Sequence, residues 1–126
     1  MCDRNKIFEI IRGVLCEILD LEEVEIMPEI YIIRDLDAES IDLLELGLVI
    51  GEKFEVEVND DDIFLRRLRE LIQEADENSI ERAVFLSDKI SHFEPDRIDE
   101  ILLDLENGPV LKVKDLVEYI CHHKQA

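Results

Sequence analysis

The sequence contains no run of about 20 apolar residues, the length that a membrane-spanning helix needs. Its beginning, Met1-Cys2-Asp3-Arg4, lacks the long apolar run of a signal peptide, so we do not expect one. Glycine is scarce, with four residues in 126, and no glycine-rich phosphate loop is present. No ordered set of serine, histidine and aspartate is visible, so the sequence does not favour a hydrolase.

Positively charged residues are also few. Lysine and arginine number 14 against 33 aspartates and glutamates, and the net charge is −19 at pH 7. Nucleic acid and anionic membrane surfaces would repel such a chain. We therefore expect a monomer whose protein partners carry Lys/Arg patches and associate quickly and salt-dependently. The alternative is that the acidity serves solubility alone.

Cysteine is sparse, and Cys2, Cys16 and Cys121 form no CxxC pair. The odd count and wide spacing suit a reducing cytosol and inert thiols, so we expect a cytoplasmic protein. Cys121, His122 and His123 are adjacent in sequence, and three such ligands without a fourth give a poor geometry for binding a metal. A solvated tail is expected there, and no metal site.

What the sequence does contain is helical periodicity in a chain of one-domain size. Apolar residues recur at helical spacing over 3–19, and Pro28 forbids a continuous helix in the loop 20–39. A second helix is predicted over 40–54, with Ile41, Leu43, Leu44, Gly47, Leu48 and Ile50 facing inward. An extended connector should lead to a short helix at Asp61–Leu65, capped by the residues from Asn59.

Residues 66–109 show three further helical patterns. Asn78 or Ser79 should cap the second of them, and Pro95 suits the first turn of the third. Gly108-Pro109 is a helix stop, after which a last helix runs through Asp115–Ile120. These patterns predict an all-α helical bundle in a single domain, 1–126.

Ser40 lies where the long loop meets the second helix, in the segment Asp35-Leu36-Asp37-Ala38-Glu39-Ser40-Ile41-Asp42. No histidine or lysine lies nearby in sequence to activate its hydroxyl, which makes it a poor catalytic nucleophile. A helix N-terminus, however, carries partial positive charge and free N–H groups that can steady a phosphate. The position therefore suits attachment of a phosphate-linked group.

The segment resembles the prosthetic-group motif of acyl carrier proteins, in which Asp-Ser-Leu carries a phosphopantetheine arm; here the triplet is Glu39-Ser40-Ile41. The resemblance covers residues 5–64 and 110–120, in the order of the family. Three departures are visible: Glu39 replaces aspartate, Asp37 replaces glycine, and residues 66–109 form a helical insertion before the last helix.

The resemblance implies a carrier rather than an enzyme, with 4′-phosphopantetheine attached to Ser40 by a separate phosphopantetheinyl transferase. The arm would carry acyl groups as thioesters for fatty-acid, polyketide or specialised lipid synthesis. Basic patches on partner enzymes would bind five acidic residues, namely Glu39, Asp42, Glu45, Glu52 and Glu55. The acyl pocket corresponds to Ile33, Ile50, Val58, Ile63 and Leu116.

Two other interpretations stay open. Ser40 could be a plain helix N-cap, in an acidic interaction module that docks a basic partner and is never modified. The acidic and pocket residues could likewise be a solvated helix face and ordinary core. The insertion could widen or cap the acyl cavity, since it enters before the last helix.

Overall fold

The computed structural model describes residues 2–125, which form an all-α bundle as the sequence predicts. The only strand-type pairing among these residues is an isolated antiparallel bridge between Tyr31 and Lys112. None of the helices in this part of the chain is long and apolar enough to span a membrane. The helices are α1 (Arg4–Leu19), α2 (Ser40–Phe54), α3 (Asp60–Ile63), α4 (Leu68–Glu77), α5 (Arg82–Lys89), α6 (Pro95–Asp104) and α7 (Val113–Gln125).

The main core is built from α1, α2, α3 and α7, with α1 packed between α7 and α2. The apolar positions of α1 bury one face, and the Asp3 carboxylate caps its start by accepting the Lys6 N–H at 3.2 Å. Tyr119 of α7 is buried, and its hydroxyl accepts the Asn59 N–H at 3.1 Å. Asn59 in turn caps α3, which begins at Asp60 rather than at Asp61.

The rotation of α2 about its axis differs from the prediction. Ile41, Leu44 and Leu48 do not face inward, because their side chains are 71%, 55% and 65% exposed. The buried face instead contains Leu46, Gly47, Ile50 and Phe54. Apolar residues lie nearly all round α2, so periodicity alone does not select a face, and contact with α1 and α3 decides it.

Residues 66–109 contain three helices, as predicted, and these share a second, smaller core. Its buried members are Leu68, Ile72, Leu86, Ile90, Phe93, Ile98, Ile101 and Val110. Leu65 packs against both this cluster and the main one. The segment is therefore folded on itself and in contact with the main core.

Two details of this segment were predicted wrongly. Glu81 rather than Asn78 or Ser79 precedes the second helix, since Asn78 ends α4 and Ser79 adopts a left-handed φ of 55°. The apolar spacing of this segment also predicts that Ile80 and Val84 are covered, but they are 40% and 60% exposed. The prediction for Pro95 is confirmed, because it is the first residue of α6.

Polar contacts tie residues 66–109 to the long loop. Asp104 accepts hydrogen bonds from the Tyr31 hydroxyl at 2.6 Å and from Arg34 Nη2 at 3.1 Å. Arg34 also donates to the carbonyls of Gly108 and Pro109 at 3.1 Å. Gly108 has a φ of 122°, which a residue with a Cβ rarely adopts. The end of the segment is thereby held against the loop that leads to Ser40.

The chain ends also differ from expectation. Cys2 and Cys121 are joined by a disulfide, with their Cα atoms 5.6 Å apart, and Cys16 is a free thiol. His123 is not in a solvated tail, since its ring stacks on Tyr119 with centroids 3.9 Å apart. His122 is exposed, in agreement with the prediction. Sequence spacing cannot show these pairings, because they form only when α7 packs beside the start of α1.

Candidate functional site around Ser40

Ser40 is the first residue of α2, and its side chain is exposed. Glu39 occupies the N-cap position, and its N–H donates to Asp42 Oδ2 at 2.9 Å. Ser40 is therefore not the helix cap, which removes the plain N-cap interpretation of this residue. Among the described residues no hydrogen bond occupies the Ser40 hydroxyl, so it is available for attachment at the positive end of a 15-residue helix.

The loop before Ser40 is held in place by buried anchors. Ile32 and Ala38 are buried, and the Ala38 N–H donates to the Ile32 carbonyl at 3.2 Å. Between them, Asp37 takes a left-handed φ of 59° and donates its N–H to the Ile33 carbonyl at 3.1 Å. This conformation explains why the family resemblance places glycine at this position. Ser40 thus follows a fixed turn rather than a loose loop.

A cavity of about 660 Å³ opens beside Ser40. Ile41 and Leu44 of α2 line it, and so do Phe64, Leu65, Arg66, Leu68 and Arg69. The remaining wall comes from Leu105 and residues 108–111. Of the five residues predicted to line an acyl pocket, Ile33 alone lines this cavity, because its walls come from three separate parts of the chain.

Four of the five acidic residues are exposed, namely Glu39, Glu45, Glu52 and Glu55. Asp42 is half-buried, and its carboxylate accepts the Glu39 N–H at the helix start. Ile41 and Leu48 lie on the same outward side as Glu45 and Glu52, since successive residues rotate by about 100°. The outward face of α2 is therefore apolar as well as acidic.

The five candidate pocket residues do not surround one cavity. Ile50, Ile63 and Leu116 are fully buried in the main core. Ile33 lines the cavity beside Ser40, whereas Val58 lines a separate opening near Tyr119. Their role in holding an acyl chain stays a prediction.

Two arginines in the cavity wall were not singled out from the sequence. Arg66 lies 3.8 Å from Asp61 across an exposed pair, and Arg69 has no ion pair within residues 2–125. Both line the same cavity as Ser40. One feature of the sequence could have drawn attention to these two arginines: cations are rare in a chain of net charge −19.

The site fits a phosphate-linked prosthetic group. Such a group needs an exposed hydroxyl, which Ser40 supplies, and a favourable field for an anion, which the first turn of α2 supplies. Arg66 and Arg69 add positive charge in the same cavity. The chain therefore offers an exposed hydroxyl in an environment that tolerates a phosphate.

Comparison with known proteins agrees with this geometry. Residues 9–75 match the family described as the phosphopantetheine attachment site. A region of 71 residues is 35% identical to an acyl carrier protein of Cyanophora paradoxa and spans 56% of this chain and 69% of that relative. A region of 55 residues is 40% identical to an acyl carrier protein of Helicobacter pylori and spans 44% of this chain and 70% of that relative.

The match from 9 to 75 includes Ser40, α1 from residue 9 onward and all of α2 and α3, and it ends inside α4. It spans more than half of the chain, and the relatives it resembles are carriers rather than enzymes. Phosphopantetheine is accordingly the prosthetic group of the matched family. The chain belongs to the acyl carrier protein family.

Proposed function

We propose that Ser40 is the single attachment site for 4′-phosphopantetheine and that the protein carries acyl groups for fatty-acid, polyketide or specialised lipid synthesis. The observation that carries this proposal is the exposed Ser40 hydroxyl at the start of α2, where Glu39 takes the capping position. When bound, the group supplies a terminal thiol that forms thioesters.

Attachment requires coenzyme A and a transferase. The Ser40 Oγ forms a bond to the phosphorus next to the pantetheine arm of coenzyme A, and adenosine 3′,5′-bisphosphate leaves with the electrons of the broken P–O bond. The proton of the hydroxyl passes to a base of the transferase. The chain itself contributes the positive end of α2, which lowers the energy of the attached phosphodiester.

The transferase and later acyl-processing enzymes would recognise the outward face of α2. Glu45 and Glu52 provide negative charge there, and Glu39 and Glu55 extend it at the two helix ends. Basic patches on the partners would be attracted once they come within about a Debye length. They would then contact the exposed Ile41 and Leu48 side chains. Asp42 would act chiefly by holding the helix start.

The domain organisation is part of the same proposal. We place the whole chain, 1–126, in one carrier domain, with 66–109 as an insertion and α7 as the last carrier helix. The support is that α7 packs against α1 and contributes to the main core, whereas α4, α5 and α6 form the smaller one. A carrier helix that follows the insertion would restore the bundle around Ser40.

Intact mass tests the attachment. The wild-type chain and Ser40→Ala are each co-expressed with a broad-specificity phosphopantetheinyl transferase. The wild type should gain the mass of one phosphopantetheine, and Ser40→Ala should gain none. An unmodified wild type would instead favour an acidic interaction module that docks a basic partner, and an equally modified mutant would place the attachment elsewhere.

A further inference from the structure

The cavity beside Ser40 has a wall that α1, α2, α3 and α7 do not supply. Leu68 and Arg69 come from α4, and Leu105, Gly108 and Pro109 follow α6. Opposite them lie Ser40, Ile41 and Leu44 of α2. The segment 66–109 therefore closes one side of an open groove that begins at the proposed attachment residue.

We propose that the acyl chain carried through Ser40 lies in this groove, between α2 and the segment 66–109, rather than among the helices of the main core. The proposal rests on attachment at Ser40. It commits to one occupant, a long acyl chain, because the tether would begin in the wall of the groove itself.

The apolar lining suits that occupant. Ile41 and Leu44 are large apolar residues that are 71% and 55% exposed, and both line the groove. Leu65, Leu68 and Leu105 add apolar surface opposite them. Covering this surface with an acyl chain removes apolar area from water on both partners, which favours the bound position.

The size of the space also fits. The volume of about 660 Å³ lies within the range of roughly 300–1,000 Å³ that is usual for small-molecule sites. A second cavity of about 430 Å³ shares Arg69, Leu105 and Gly108 with the first and continues towards Ile72 and Arg82. The groove therefore extends along α4 away from Ser40, which favours a long chain over an acetyl group.

The main core offers less room at the same point. Ile50, Ile63 and Leu116 have no exposed surface. A methyl group added at Gly47 would lie 2.7 Å from Asp60 Oδ1 and 3.4 Å from Phe64 Cε2, so side chains already fill the space beside α2 there. A chain entering the core would have to separate these helices, whereas the groove is already open.

The charged residues and the apolar residues of the groove have different roles. Beside the Asp60 carboxylate, Arg66 and Arg69 are exposed cations in its wall, and Arg69 has no ion pair within the described residues. They attract the phosphodiester that attachment to Ser40 creates, and the apolar residues hold the chain that follows. A chain in this position would lie against residues 66–69 and 105–111.

The test uses a polarity-sensitive probe. The full-length protein is loaded at Ser40 with a coenzyme A analogue that carries a long acyl chain ending in a dansyl group. We expect a blue-shifted emission and weaker quenching by acrylamide than for the same chain on free pantetheine. Leu44→Asp should abolish both effects in the loaded protein, whereas loaded Leu48→Asp should keep them, since Leu48 is 65% exposed on α2 against 55% for Leu44 but does not line the groove.

A second pair of variants tests whether the result for Leu44→Asp is an indirect effect of that substitution. Leu105→Asp should also abolish the blue shift, and Leu103→Asp should not, because Leu103 is 87% exposed and lies outside the groove. Intact mass and thermal unfolding establish that each variant is loaded and folded. Hydrogen exchange of the wild type should slow in 65–69 and 105–111 on acylation.

The outcomes separate the two proposals. Failure of the wild type to load at Ser40 would overturn the attachment, and the groove proposal with it. Successful loading without a blue shift would overturn the groove alone, as expected if a partner protein covers this surface instead. Equal blue shifts in Leu44→Asp and Leu48→Asp, or slowed exchange confined to the main core, would place the chain among the core helices.

Discussion

Arg97 donates two hydrogen bonds to Asp115, from Nε to Oδ1 and from Nη2 to Oδ2, each 2.8 Å long. Asp115 also accepts the Lys112 N–H at 2.8 Å, and Arg97 Nη2 donates to the Val110 carbonyl at 2.8 Å. The Asp115 side chain is 1% exposed and that of Arg97 is 9% exposed. A satisfied, buried ion pair therefore joins α6 to the start of α7, which is the point where the segment 66–109 returns to the main core.

Removing one member of this pair should destabilise the protein strongly. Arg97→Ala leaves the Asp115 carboxylate buried without its partner, and we expect a loss of about 3–5 kcal/mol in the free energy of unfolding. Arg67→Ala is the control, because its pair with Glu70 is exposed and should contribute under about 1 kcal/mol. Urea unfolding measures both, and equal losses in the two variants would contradict a structural role for the buried pair.

Charge on the outward face of α2 should control docking. Glu45→Lys/Glu52→Lys should slow modification of Ser40 by roughly tenfold or more at low salt, since steering by complementary charge raises association rates. These two residues are chosen because the Asp42 carboxylate holds the helix start. Glu74→Lys/Asp99→Lys changes the net charge equally, at exposed positions on α4 and α6.

The rate of phosphopantetheine transfer at low and high salt distinguishes the two double variants. Slowing confined to Glu45→Lys/Glu52→Lys, and reduced by added salt, supports recognition by this face. The same rate in both variants would mean that net charge alone matters, or that the transferase reads another surface.

The disulfide between Cys2 and Cys121 should leave one reactive thiol. Alkylation of the denatured protein without reductant should add a single label, at Cys16, and reduction should raise the number to three. The bond closes a loop with a sequence separation of 119, so reduction should destabilise the fold by roughly 4–5 kcal/mol on the chain-entropy account.

Two cysteine variants test whether the destabilisation on reduction comes from this disulfide. Cys2→Ser should remove the response of the free energy of unfolding to reductant, whereas Cys16→Ser should preserve it. Three labels on protein isolated without reductant would show that the thiols stay reduced in the cell. Since disulfides are uncommon in the cytosol, this count also tests the expected cytoplasmic location.

His92 should make the protein sensitive to mild acid. Its side chain is buried between α5 and α6 against Phe93 and Tyr119, and its Nε2 has no hydrogen-bond partner within the described residues. Burial, followed by the nearby charges of His123 and His122, lowers its pKa to about 4. The unfolded chain, with a pKa near 6.5, binds this proton first, so the free energy of unfolding should fall as pH drops from about 6.5 towards 4.

We expect His92 to account for a loss of roughly 2 kcal/mol between pH 7.5 and 5. His92→Phe should remove this part of the pH dependence, and His122→Phe should keep it, because His122 is exposed. Urea unfolding over this range avoids most carboxylate titration. Glu29, for example, has its pKa lowered to about 2 because Lys114 and Lys112 donate hydrogen bonds to its carboxylate. An unchanged slope in His92→Phe would show that other groups bind the protons.

Much of the fold could be predicted from local patterns. The periodicity of 3–19 predicts α1, and the cap at Asn59 predicts the start of α3 to within one residue, because these depend on contacts within a few residues. The segment around Ser40 predicted the candidate site and its place at the start of α2. The caps proposed at Asn78 and Ser79 failed, since the chain there uses a helix C-terminus and a left-handed turn before α5 begins.

By itself, the sequence determined the all-α class, the helical order and the resemblance centred on Ser40, because helix formation and motif spacing are local properties. Tertiary structure alone decided which side of α2 faces outward, since apolar residues surround that helix and packing selects among them. It also brought together groups distant in the chain, such as Cys2 with Cys121 and Arg97 with Asp115. The groove beside Ser40 belongs to this second class, because its walls exist only once α4 and the turn after α6 fold back onto α2.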